Sequence, residues 1–128
     1  MLKNTVSILL ILFELLTGCS RPFTMHDNGH TVELDMDTPF EIELHGDSSA
    51  GFSWHVREFD STIIKQIGQP KYSQPVNQTG TGLYTFDFHT VGYGKTYLIL
   101  NYGRPSEPPV KTFRIKIISG TMGRILGK

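Results

Sequence analysis

Few residues in this chain could carry out nucleophilic or acid–base chemistry. The only cysteine, Cys19, comes just before a polar stretch, so a cysteine–histidine pair held by a folded core is not expected. Residues 51–55 (GFSWH) place a serine after a glycine, but they lack the second glycine of a nucleophile elbow and continue into a strand-like pattern. The carboxylates are spread along predicted strands rather than paired. The sequence therefore predicts that the protein is not an enzyme, and it offers no catalytic residue.

Binding of a metal, a nucleotide or a nucleic acid is also disfavoured. His26, Asp27 and His30 stand close together, but in a short polar stretch a solvated turn is the better interpretation than a metal site. The glycine-rich residues 78–82 are followed by a strand pattern, whereas a phosphate-binding loop leads into a helix. The 12 basic and 12 acidic residues balance, which argues against nucleic acid and against an electrostatic membrane patch. No cofactor and no metal ion are expected.

Alternation of apolar and polar residues predicts the elements that would position any site. Apolar residues recur at every second position in five segments: Val32, Leu34 and Met36; Phe40, Ile42 and Leu44; Phe52, Trp54 and Val56; Tyr84, Phe86 and Phe88; Phe113, Ile115 and Ile117. Residues 96–102 are almost continuously apolar, as in a central strand. Residues 60–67 fit a helical turn or a short strand, and residues 70–76 a short edge strand. The sequence predicts an all-β, immunoglobulin-like antiparallel β-sandwich of seven to eight strands.

Three loops stand out between these strands, at residues 47–51, 80–83 and 104–106. Gly46 and Gly51 bound the first loop, and both are expected to allow a positive φ. Alternate connections of a sandwich lie at the same end, so three such loops could form one binding edge. Their residues, with the base of the first loop, are Asp47, Ser48, Ser49, Ala50, Gly51 and Phe52; Gly80, Thr81, Gly82 and Leu83; and Arg104, Pro105 and Ser106.

With these residues in this order, the chain resembles the chagasin-type inhibitors of papain-like cysteine peptidases. That family carries NPTTG[FY]xW in a first loop, GxGG in a second and RP[WF] in a third, on an immunoglobulin-like sandwich. Here the three segments read DSSAGFSW, GTGL and RPS. The chain therefore keeps the glycine and aromatics of the first motif, two glycines of the second and the Arg-Pro of the third. It departs from the family at Ala50, Leu83 and Ser106.

The resemblance implies reversible, competitive occlusion of a papain-like peptidase, and a monomer is the default expectation. The first loop would cover the catalytic residues, with Ser49 and Ala50 in the place of the family's two threonines. Gly80 and Gly82 would allow main-chain hydrogen bonding to the peptidase, and Arg104 would donate several hydrogen bonds from a loop fixed by Pro105. Loss of the third-loop aromatic at Ser106 is expected to weaken binding, since aromatic residues are common interface anchors.

The N-terminal residues resemble a lipoprotein signal. Residues 1–18 combine Lys3 with a short apolar run and end in Leu-Thr-Gly before Cys19, like the lipobox of bacterial lipoproteins. Lipidation of Cys19 would anchor the protein in the cell envelope, and a cleaved secretory signal is the alternative; both place it outside the cytoplasm. Residues 19–29 are predicted to be a tether, 30–119 the sandwich and 120–128 a tail. A lipid-anchored envelope-binding domain that inhibits no peptidase remains the alternative function.

Overall fold

The computed structural model describes residues 21–74 and 81–120. The expected signal segment, the lipidation site Cys19, Gly80 and most of the expected tail lie outside these residues. The described strands are β1 Thr31–Leu34, β2 Pro39–Gly46, β3 Ser53–Glu58, β4 Ile64–Gln66, β5 Lys71–Ser73, β6 Gly82–Thr90, β7 Gly94–Gly103 and β8 Lys111–Ser119. Two single-turn 3-10 helices, Met25–Asp27 and Ser49–Gly51, accompany them. None of the described helices is long and apolar enough to cross a membrane.

The strands form two facing sheets, which confirms the predicted all-β sandwich. The first sheet has the order β1-β8-β7-β3, and the second has the order β2-β6-β4, with β5 also paired to β6. All described pairs are antiparallel except β1 with β8, which run parallel. The alternating apolar positions face inward and form one core, in which Ile42, Phe86, Leu100 and Phe113 are fully buried.

β7 differs from the continuously buried strand that its sequence suggests. Leu98 and Leu100 are fully buried, but Tyr97, on the outer face of β7 between β8 and β3, keeps 43% of its surface exposed. The Arg114 guanidinium on the neighbouring strand lies 4.1 Å from the centre of the Tyr97 ring. The outward-facing Tyr97 therefore contacts a basic side chain rather than the core.

Residues 60–67 form a turn followed by a strand. The Asp60 carbonyl accepts hydrogen bonds from the backbone N–H groups of Ile63 and Ile64, and β4 begins at Ile64. The Asp60 carboxylate accepts from the backbone and the hydroxyl of Thr62, which lowers its pKa. Both interpretations allowed by the sequence are therefore partly realised, in succession.

The described part of the expected tether, from Arg21 to Gly29, packs on the sandwich. Phe23 extends the second sheet, because its N–H donates to the Glu41 carbonyl and its own carbonyl accepts from Glu43 N–H, each at 2.8 Å. Asp27 is buried, accepts two hydrogen bonds from Arg21 and caps the short helix with Thr24. Within the described residues no group of three or more His, Cys, Asp or Glu side chains is placed to hold a metal ion.

We expect substitution of Thr90 by valine to destabilise the sandwich by about 1–3 kcal/mol. The fully buried Thr90 hydroxyl donates to the Asp35 carbonyl at 2.7 Å and accepts from Thr38 N–H at 2.9 Å. Valine keeps the shape but leaves both backbone groups without this partner. Urea unfolding measures the change, and Thr31→Val on exposed β1 is the control, with an expected effect within about 0.5 kcal/mol. If the Thr90 variant and the wild-type protein are equally stable, the Thr90 hydroxyl does not stabilise the connection between Asp35 and Thr38.

Candidate functional site: the three-loop end of the sandwich

Strand register brings the three loops to one end of the molecule. Gly46, the last residue of β2, pairs with Gly82, the first residue of β6. Ser53, the first residue of β3, pairs with Gly103, the last residue of β7. The first loop therefore crosses from the second sheet to the first sheet at this end. The second loop enters β6 on one side of it, and the third loop leaves β7 on the other side.

The structure places the predicted site residues unequally. Residues 47–51, Thr81 and residues 104–106 are exposed, whereas Phe52 is half-buried at the base of the first loop. Gly82 and Leu83 are the first two residues of β6 rather than loop residues. Gly82 is buried, and a Cβ atom there would overlap the Tyr72 ring, so its surroundings within the protein are enough to require glycine.

The first loop is folded back on itself. The Asp47 carboxylate accepts a hydrogen bond from Ser49 N–H at 2.8 Å, and Phe52 N–H donates to the Ser49 carbonyl at 3.2 Å. Ala50 and Gly51 are both left-handed, with φ of 58° and 83°. The loop therefore takes the positive φ that its glycines were expected to allow, at Gly51 and also at Ala50, but not at Gly46. Left-handed alanine is strained, so the surrounding contacts must hold this turn.

An aromatic cluster, formed by Phe52, Trp54 and Tyr102, supports the first loop. The Tyr102 ring lies 5.6 Å from the Phe52 ring and 5.3 Å from the Trp54 ring, measured between centroids. The Tyr102 hydroxyl donates to the Asp47 carbonyl, and Trp54 Nε1 donates to the His45 carbonyl at 3.0 Å. Burial raises the pKa of Tyr102 above its ordinary value.

Gly46 is glycine because the aromatic cluster approaches the backbone closely at that position. A Cβ atom built on Gly46 would lie 2.8 Å from Tyr102 Cε1 and 3.0 Å from Trp54 Cδ1. Any side chain there would push the rings away from the first loop. This requirement could not be read from the sequence, because it depends on residues 8 and 56 positions further along the chain.

The third loop is joined to the first through Arg104. The Arg104 guanidinium lies 4.7 Å from the centre of the Phe52 ring, and the stem of the side chain runs beside Gly51. Glu107 Oε1 lies 3.6 Å from Arg104 Nε, although both side chains are exposed and the ion pair is weak. Ser106 is left-handed with φ of 64°. Sequence reasoning missed Glu107, for which the i, i+3 spacing of opposite charges was the available signal.

Tyr72 lies on the side of the first loop away from Arg104. Sequence reasoning also missed this residue. Its ring centroid is 4.6 Å from that of Tyr84, and it covers Gly82, where a Cβ would overlap the Tyr72 hydroxyl. Between Pro70 and Pro75 only the aromatic type of residue 72 signalled a packing role. Taken together, the described loop residues form an exposed edge without a metal-ligand group, suited to binding by shape and hydrogen bonding.

Comparison with solved structures identifies proteins that share this fold. Solved structures that resemble the chain include the cysteine protease inhibitor EhICP2 from Entamoeba histolytica, at 18% identity and a TM-score of 0.68 over 77% of this chain and 94% of that one. Amebosin matches at 24% identity and a TM-score of 0.63, over 77% and 95% of the two chains. PbICP-C, solved in complex with falcipain-2, matches at 18% identity and a TM-score of 0.55, over 79% and 89%.

These likenesses concern the fold, and the sequence itself supplies the family. No curated protein matches the chain. The model of the chagasin family peptidase inhibitors, I42, matches residues 33–117, which spans the sandwich from β1 to β8 and includes all three loops. The family is one of peptidase inhibitors, in agreement with the expectation that the protein is not an enzyme. The chain belongs to the chagasin family of peptidase inhibitors.

Proposed function

We propose that the protein is a reversible, competitive inhibitor of papain-family cysteine peptidases and that its three loops occlude the active-site cleft. The observation that carries the proposal is the position of the exposed first loop, which connects β2 to β3 at the end of the sandwich where β6 begins and β7 ends, and whose Asp47 carbonyl accepts a hydrogen bond from Tyr102. Family membership supports inhibition as the activity, and the structure of PbICP-C with falcipain-2 supports a cysteine peptidase as the target.

The proposed mechanism is blockage without a chemical step. The first loop enters the cleft with its small residues, Ser48, Ser49 and Ala50, and places backbone next to the catalytic cysteine. Its turn is fixed before binding by two hydrogen bonds and by the aromatic cluster, so little ordering entropy is lost on association. Arg104 is already stacked on Phe52, and it contributes hydrogen bonds from one wall of the edge.

The departures from the family bear on affinity. Ser106 supplies no aromatic ring at the exposed tip of the third loop, and Ala50 supplies no hydroxyl at the tip of the first. Loss of an aromatic anchor costs roughly 2 kcal/mol in many interfaces, equivalent to more than tenfold in Kd. We therefore expect this protein to bind the peptidase more weakly than an inhibitor with the complete motifs. An aromatic residue elsewhere on the edge would reduce that difference.

We also propose that the protein acts outside the cytoplasm as a monomer, anchored through a lipidated Cys19. The support is the lipobox-like sequence of residues 16–19. A lipid-anchored envelope protein that binds another partner is the competing function, and inhibition assays separate the two. If the folded protein inhibits none of the cysteine peptidases tested, the competing function is favoured.

Substitution of Arg104 by alanine is expected to raise the inhibition constant for papain by about tenfold or more, because a preorganised multidentate donor is removed from the edge. Steady-state assays at several substrate concentrations measure the constant and establish whether inhibition is competitive. Arg57→Ala is the matched control, since Arg57 is exposed on β3 away from the loops. Equal inhibition by the Arg104 variant and the wild-type protein would contradict a role for the third loop.

Substitution of Tyr102 by phenylalanine is expected to weaken inhibition without abolishing the fold. The ring contacts with Phe52 and Trp54 persist, but the hydrogen bond to the Asp47 carbonyl is lost, at about 1 kcal/mol of stability. The first loop then samples other conformations and binding slows. Thermal unfolding and papain inhibition are measured together, with Tyr97→Phe on the outer face as the control. Unchanged inhibition would show that the first loop needs no anchor.

A Cys19→Ser variant tests the anchor. Expressed in a bacterium that processes lipoproteins, the wild-type protein should incorporate radiolabelled palmitate and sediment with membranes, since several acyl chains give stable attachment. The variant should incorporate no label and remain in the soluble fraction. Labelling of both proteins, or of neither, would contradict lipidation at Cys19.

A further inference from the structure

We infer that Tyr72 is a fourth contact of the inhibitory edge, binding an apolar patch of the target peptidase beside its cleft; this inference rests on the proposed function. None of the three loops contains Tyr72, which lies on the short strand β5. β5 pairs with β6 so that Tyr72 is opposite Tyr84 and Ser73 is opposite Leu83. The Tyr72 ring leans from this position towards Gly82, and therefore towards the end of the sandwich that carries the loops.

The surroundings of Tyr72 hold the ring still while leaving it accessible. One side of the ring packs on Tyr84, with centroids 4.6 Å apart, and the hydroxyl end covers the bare backbone of Gly82. The strand is held in place by ladder pairing with β6, and Lys71 also lies 3.4 Å from Asp87 in an exposed ion pair. Nevertheless 39% of the Tyr72 surface remains exposed. A rigid, partly exposed tyrosine loses little entropy on binding and is a frequent interface anchor.

Other exposed tyrosines of the described chain lack this combination of position and support. Tyr97 lies on the outer face of the first sheet, where Arg114 and Lys116 cover its ring. Tyr93 is 54% exposed, but it lies in the turn between β6 and β7, at the end away from the three loops. Tyr72 is therefore the exposed tyrosine that the fold places beside the inhibitory edge.

The position of Tyr72 also bears on the loss of the aromatic residue from the third loop. Arg104 and Ser106 flank the first loop on the side of the first sheet, and Tyr72 flanks it on the side of the second sheet. An aromatic anchor is thus absent from one wall of the edge and present beside the other. The aromatic contact offered by this chain therefore lies at β5, on the side of the first loop away from Arg104 and Ser106. Peptidases with an apolar surface on that side of the cleft would be preferred.

The glycine at position 82 gives the inference a second, independent variant. A methyl group at this position would displace the Tyr72 ring without altering residue 72 itself. If Gly82→Ala weakens inhibition by moving Tyr72, it should have no further effect once Tyr72 is already alanine. A double-mutant cycle measures this coupling directly.

The experiment measures inhibition of papain by purified wild-type protein and by Tyr72→Ala, Tyr72→Phe, Gly82→Ala and the Tyr72→Ala/Gly82→Ala double variant. We expect Tyr72→Ala to raise the inhibition constant about tenfold, mainly through faster dissociation. Tyr72→Phe should stay within about threefold, because the ring is retained. Tyr93→Ala, the control at the opposite end, should inhibit like the wild type. Thermal unfolding of every variant separates loss of contact from loss of fold.

Two results would overturn the inference alone, and a third would overturn the proposed function together with it. Wild-type inhibition with an unchanged constant for Tyr72→Ala would remove Tyr72 from the interface and leave the three-loop proposal intact. A weakening that matches the unfolded fraction of the variant would reduce Tyr72 to a structural role. No inhibition by folded wild-type protein would defeat both proposals together.

Discussion

The contact of Tyr102 with the first loop is the interaction on which the site depends. Tyr102 belongs to the first sheet, yet its hydroxyl bonds the Asp47 carbonyl just beyond the last strand residue of the second sheet. The same ring stacks on Phe52, and Phe52 in turn carries the Arg104 guanidinium. One side chain therefore joins the two sheets, fixes the base of the first loop and indirectly positions the third. Gly46 is the condition for all of this, because only a bare backbone lets the ring approach.

The fold was predictable because its signals are local. Alternation identified the long strands, and the inward positions such as Ile42, Phe86 and Phe113 are those that the pattern nominated. Trp54 was correctly read as a core residue behind the first loop. The contacts that the sequence pattern did not predict are those with residues far along the chain. Phe23 joins the second sheet through hydrogen bonds to β2, and β1 pairs in parallel with β8 nearly ninety residues later. Neither contact leaves a trace in the local pattern.

The candidate site was predictable in its composition and less so in its geometry. The loops were identified by their glycines, prolines and polar residues, but the reasons for individual glycines differ from those expected. Gly51 is left-handed as predicted, whereas Gly46 and Gly82 are needed for the close approach of tyrosine rings. A sequence shows that a glycine is present and does not show which long-range neighbour requires it. Tyr72 was overlooked for the same reason, since its role follows from the register of a three-residue strand.

The folded-back shape of the first loop has a consequence for the lifetime of the protein. A peptidase cleaves a chain that it can hold in an extended conformation across its cleft. Residues 49–51 form a 3-10 turn in which Ala50 and Gly51 are left-handed. Extending this segment would break the hydrogen bonds of the turn and the hydrogen bond between Tyr102 and the Asp47 carbonyl. The scissile geometry is thus out of reach while the sandwich stays folded. In the proposed complex, the first loop therefore occupies the cleft of the peptidase and resists cleavage.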